Sequence, residues 1–91
     1  MRMSEARIKA LARQHVGNKN IKVTVTDRFP DVPGAGSTKF ADGLAVMWPN
    51  GDCEMFIHKA MKYYSPIYVD DVIGHEMDHL NVYKKIYGAH I

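Results

Sequence analysis

Two apolar runs, Leu44 to Trp48 and Cys53 to Ile57, are separated only by Pro49-Asn50-Gly51-Asp52, and this stretch restricts the fold more than any other. Asn-Gly between apolar runs is the strongest short-range hairpin signal, because both central residues can take positive φ. The runs are therefore expected to pair as antiparallel strands, the second ending near His58. Upstream, residues 21 to 26 read Ile-Lys-Val-Thr-Val-Thr, a strict β-branched alternation that predicts another strand with one buried face. Two strands form a marginal sheet; a third, with helices against it, makes a stable layer.

The helices are readable from their caps and spacing. Ser4 can cap a first helix whose stripe is Ile8, Leu11, Ala12, His15 and Val16, ended by Gly17-Asn18. His15 on that stripe reads as a packed or edge histidine. After His58 a short irregular or helical piece carries Ala60, Met61, Tyr63 and Tyr64, and Ser65-Pro66 punctuates the chain. A second helix is expected to start between Pro66 and Val69, with Asp70 and Asp71 near its positive end, and to run into the 80s. Val69, Ile73, Met77 and Leu80 would form its core face; Val72, His75, His79 and Val82 a neighbouring face. Gly74 costs about 1 kcal/mol against alanine in mid-helix, which predicts a strand or loop packed closely before His75.

Asp27 to Thr38 holds Pro30, Pro33, Gly34 and Gly36 and has no periodicity, so it reads as a loop, either a connection or a flap beside a site. Gly34-Ala35-Gly36-Ser37 lacks the Gly-Lys-Ser/Thr ending of a phosphate loop. The order helix, strand, loop, hairpin, helix gives an α+β fold over residues 1 to 91 as one domain, with a small antiparallel or mixed sheet packed on helices.

Composition narrows function. With 46% apolar and 24% charged residues in 91, the chain is an ordinary globular sequence near the size at which a metal staple helps. A formal charge of +2 does not indicate nucleic-acid binding, and Lys59, Lys62, Lys84 and Lys85 read as solvated. There is no apolar signal core at the amino terminus and no run long enough to span a membrane. Cys53 is the single cysteine, which excludes an internal disulfide and fits a reducing, cytoplasmic setting.

The chemistry concentrates at His75-Glu76-Met77-Asp78-His79 on the second helix. At 3.6 residues per turn, histidines four apart project one turn above each other and can hold one metal ion. Glu76, about 100° round the helix, can reach a metal-bound water without being a ligand. Two imidazoles, an open position and a carboxylate base make the minimum of a zinc hydrolase. Without catalysis, the same residues would be surface histidines or hold a structural ion.

The H-E-x-x-H helix arriving just after a hairpin strand resembles the catalytic half of zincin metallopeptidases. Among them it is most similar to the compact intracellular SprT-like and ImmA/IrrE-like kinds, over roughly residues 40 to 80. That resemblance implies zinc bound by His75 and His79, Glu76 as general base, and peptide or protein substrates. It also implies an edge strand, Leu44 to Trp48 or Cys53 to Ile57, that holds substrate by backbone pairing. A tyrosine, Tyr64, Tyr83 or Tyr87, would donate to the oxyanion. A narrower likeness joins residues 75 to 81 to the peptide deformylase zinc motif, whose third ligand is an upstream cysteine, here Cys53; the deformylase glutamine and Glu-Gly-Cys segments are missing.

A third ligand is required and several candidates stay open. Val82 and Lys85 stand where a metzincin has glycine and histidine, and no acidic residue follows Asp78 to serve as in thermolysin-like enzymes. His90 is the first choice, but a straight helix would put it roughly 16 Å along the axis from His79, so the helix would have to break near Tyr83. Cys53 and His58 come next, then Asp42, Asp52 or Glu54, or a ligand from a second subunit. The function expected is peptide hydrolysis by a zinc metallopeptidase. The alternatives are a small interaction module with a structural or degenerate zinc site, and a deformylase-like amide hydrolase.

Overall fold

The computed structural model describes residues 2–32 and 41–91, which form an α+β fold. The first helix, α1 (Glu5–Val16), starts where Ser4 Oγ accepts the Arg7 amide at 3.1 Å and stops where Gly17, at φ 58°, donates its N–H to the Arg13 carbonyl. Ile8, Ala12 and Val16, four residues apart, are its buried face. The strands β1 (Ile21–Thr26), β2 (Gly43–Met47) and β3 (Cys53–His58) follow in chain order. They lie in the spatial order β1-β3-β2. β3 pairs in parallel with β1, Ile21 facing Cys53, and antiparallel with β2, Leu44 facing Phe56. The sheet is thus mixed. Gly34-Ala35-Gly36-Ser37 lie outside the described residues.

Every β3 residue from Cys53 to Ile57 is buried, as expected for a strand with neighbours on both sides. Its alternation splits two clusters. Cys53, Met55 and Ile57 point at the helices and join the main core; Phe56 points to the other face, where Phe29 and Val46 meet it. Glu54 shares that second face, buried, accepting from Thr24 Oγ1 at 2.6 Å and Trp48 Nε1 at 3.1 Å.

The hairpin closes differently from its sequence signal. Only Gly51 takes positive φ, at 91°, and the Gly51 amide donates to the Trp48 carbonyl at 2.8 Å. Trp48 to Gly51 is therefore the turn, with Pro49 at its second position. The proline ring fixes φ near −65°, which suits a type I turn and forbids the type I′ geometry that Asn-Gly alone favours. Trp48 N–H then bonds the Asp52 carbonyl, leaving a three-residue loop with Gly51 at its end.

A short 3₁₀ turn over Lys59–Tyr63 leads to the second long helix, α2 (Pro66–Tyr87). Ser65 Oγ caps it on the Tyr68 amide at 3.2 Å, Pro66 occupies the first turn where no N–H is needed, and Gly88 ends it at φ 69°. Val69, Ile73, Met77 and Leu80 are buried against the sheet and α1. Val82 is exposed, so the face beside the core is set by other residues. The atom nearest a Cβ built on Gly74 is His15 Cε1, at an ordinary 3.6 Å. The neighbour at Gly74 is thus α1 rather than a strand or loop, held there by a 2.7 Å contact from His15 Nε2 to Asp70 Oδ1. No described helix is long and apolar enough to cross a membrane.

Candidate metal centre

Because α2 lies over the sheet with Val69, Ile73 and Leu80 down, residues 75 and 79 sit on its shoulder and residue 76 is rotated under it. His75 and His79 are exposed and Glu76 is buried, 6% accessible. The two rings stand edge to face with centroids 4.5 Å apart. Glu76 Oε1 lies 3.3 Å from His79 Nδ1. One donor atom from each of the three falls within 4.8 Å of the others, and among the described residues this is the one group of metal-capable side chains so placed.

The three line a groove of about 790 Å³ between α2 and β2. One wall is helical: Asp71, His75, His79, Tyr83 and Tyr87, spaced four residues apart, with Val72 beside them. The other is β2 itself, at the end of the strand order. His58 N–H bonds the Asp42 carbonyl and Trp48 N–H the Asp52 carbonyl, so pairs 42/58 and 48/52 are hydrogen-bonded pairs. Antiparallel alternation then turns the backbone groups of Leu44 and Val46 toward β3 and those of Gly43, Ala45 and Met47 away from it. The side chains of Ala45 and Met47 face the helices, and Gly43 faces Glu76.

The other candidate ligands are not brought to this group. α2 continues unbroken through Tyr83 to Tyr87, which overturns the early break that His90 needed. His90 instead lies at the hairpin turn, its amide donating to the Gly51 carbonyl and its Nδ1 3.7 Å from Asp52 Oδ1. Cys53 is buried at the start of β3, opposite Ile21 and Met47, and burial, then the nearby Asp52 charge, pushes its thiol above the ordinary 9.0. His58 Nδ1 accepts the Ala60 amide and its ring meets Phe29 edge-on. Glu54 is on the far face of the sheet. Asp42 does line the groove, where its carboxylate accepts from the Tyr68 hydroxyl, a bond that raises the phenol above 10.0. Tyr83 and Tyr87 also line it, while Tyr64 stacks on Tyr68 with centroids 4.9 Å apart.

Sequence reasoning missed Asp71 and Gly43 as groove residues. Asp71 was findable, one helical turn before His75. Gly43 was not: nothing in Ala41-Asp42-Gly43-Leu44 says that a helix carboxylate will lie against it. No protein family, curated protein or solved structure matches the chain.

Proposed function

We propose that the chain is a minimal zincin-type, zinc-dependent metallopeptidase, with His75 and His79 as metal ligands and Glu76 as general base. The observation that carries this reading is the convergence of two imidazoles and a buried carboxylate within 4.8 Å, in a groove whose opposite wall is a strand with outward backbone groups. The donor set suits zinc, since neutral imidazole is a preferred ligand and a catalytic site leaves positions open. When bound, zinc would act as a Lewis acid toward the scissile carbonyl and make an attacking water more acidic.

The remaining roles belong to the chain. Glu76 accepts the proton of the attacking water on a carboxylate oxygen and returns it to the leaving amine nitrogen. Gly43, Ala45 and Met47 offer N–H and C=O groups to an extended peptide, which fixes its carbonyl beside His75 and His79. Tyr83, one turn after His79, is the oxyanion donor of choice between the two tyrosines that line the groove. A single buried cysteine, with no second one to pair with in the chain, agrees with a cytoplasmic setting.

A second reading is favoured by the closeness of the Glu76 carboxylate to both imidazoles: Glu76 would itself be the third ligand, closing a structural site in an interaction module. Zinc content and hydrolysis of a mixed peptide library, measured for the wild type and Glu76→Gln, separate the two. Zinc retained with activity at least about a hundredfold lower supports the base, whose general-acid–base contribution is of that order. Zinc lost supports the ligand. Zinc and full activity both retained would sink both assignments.

A further inference from the structure

Among the described residues three glycines, Gly17, Gly51 and Gly88, sit at positive φ, where L side chains are strained. Gly43 does not, so its backbone would accept any residue. What it lacks is room. A Cβ built on Gly43 would lie 3.0 Å from Glu76 Cγ, 3.2 Å from Glu76 Oε2 and 3.2 Å from Val72 Cγ1. These separations are closer than ordinary carbon contacts of about 3.5–4.0 Å. Two of the three atoms belong to the side chain on which the proposed chemistry rests.

We infer that Gly43 is a positioning residue for Glu76: the bare strand lets the carboxylate lie flat against β2, where it keeps its contact with His79. The strand and the helix shoulder leave Glu76 little choice of direction. Its Cγ is wedged between Gly43 and its own helix, and its Oε1 is 3.3 Å from His79 Nδ1. A methyl group at position 43 must push the Cγ, near the root of the side chain, by a few tenths of an ångström, and the displacement is magnified at the carboxylate. Val72 bounds the same space from the helix side. Shortening it gives the methyl group somewhere else to go.

This inference rests on the metallopeptidase reading for its kinetic consequence but not for its structural one, so the test has two readouts. In metal-free protein, the imidazole nitrogen resonances of His79 report the carboxylate beside Nδ1. Gly43→Ala is expected to move the His79 signals while those of His15 and His58 stay. In zinc-loaded protein, Gly43→Ala is expected to lower kcat about tenfold with KM and zinc content unchanged, since sub-ångström misplacement of a reacting group carries losses of that order. Thermal stability should change little, because the smaller backbone entropy loss of alanine is set against the crowding of its methyl group by Glu76 and Val72. Gly43→Ala with Val72→Ala should recover most of the loss.

Unmoved His79 signals in Gly43→Ala would overturn the inference whatever the protein hydrolyses. So would a raised KM at constant kcat, which would mean that the methyl group disturbs peptide binding along β2 rather than the placement of Glu76. If the wild type shows no hydrolysis, the metallopeptidase reading fails while the His79 readout still decides the role of Gly43.

Discussion

Replacing Glu54 by alanine should remove one of the main ties across the sheet. Glu54 is 8% exposed, and its carboxylate accepts from Thr24 Oγ1 of β1 at 2.6 Å and from Trp48 Nε1, just beyond β2, at 3.1 Å. A hydrogen bond to a charged group contributes about 1.5–3 kcal/mol, so two are worth about 3–6 before the desolvation of the carboxylate is set against them. The Thr24 hydroxyl can rotate to water; the indole N–H cannot rotate, and its loss weighs more. We expect Glu54→Ala to destabilise by about 2–4 kcal/mol, a large share of the roughly 5–14 kcal/mol available to a domain of this length. Glu54→Gln should lose only about 1 kcal/mol, because its oxygen can accept from Trp48 while its NH₂ donates to a rotated Thr24 hydroxyl. Urea unfolding followed by the fluorescence of Trp48, the single tryptophan, and by circular dichroism reads both variants. Glu54→Ala within about 0.5 kcal/mol of the wild type, or Glu54→Gln as damaging as alanine, would refute the account, since ordinary surface changes fall within that range.

Two further outcomes follow from the same geometry. Burial holds the Cys53 thiol neutral beyond the ordinary 9.0, so above that pH the unfolded chain loses its proton first and stability falls. The urea midpoint of the wild type should therefore drop more steeply between pH 9 and 10 than that of Cys53→Ala, and parallel profiles would contradict this. Gly51→Ala places a methyl 2.8 Å from His90 Cε1 at a φ of 91°, and should destabilise by about 1–3 kcal/mol. His90→Ala should relieve only the steric part, so full recovery in the double variant would show that the backbone angle carries no penalty.

How far the sequence could be read depended on whether the deciding interaction was local. The helix cap at Ser4, the start of α2 just after the Ser65-Pro66 break, the alternation of residues 21 to 26, and the core stripe Val69, Ile73, Met77 and Leu80 are properties of short segments, and each stands where its pattern placed it. The hairpin was local too, yet Pro49 outweighed Asn50-Gly51 because ring closure fixes an angle that asparagine merely prefers. Convergence of His75, Glu76 and His79 was legible because one helix carries all three. Which residues face them across the groove was not, since that depends on β2 being the strand beside α2. The same holds for His90: its spacing left open a return to the motif, and the unbroken helix to Tyr87 carried it to the hairpin turn instead. Gly74 misled because a helix-breaking residue signals a neighbour without saying which element supplies it.

The parallel pairing of β1 with β3 also sets an order in time. β2 and β3 close across a tight turn, on the microsecond scale of hairpins, and α2 follows directly in the chain, so both walls of the His75 groove come from one continuous stretch between residues 41 and 87. β1 has a different history. Its strand neighbour is β3, and Ile21 meets Cys53 only after the intervening chain has been made and β3 has formed. On a ribosome, which releases the amino-terminal side first, Ile21, Val23 and Val25 must wait as an unpaired apolar strand while the rest of the sheet is synthesised. The strand at the sheet edge opposite the groove is thus the part most exposed to misassembly during its birth.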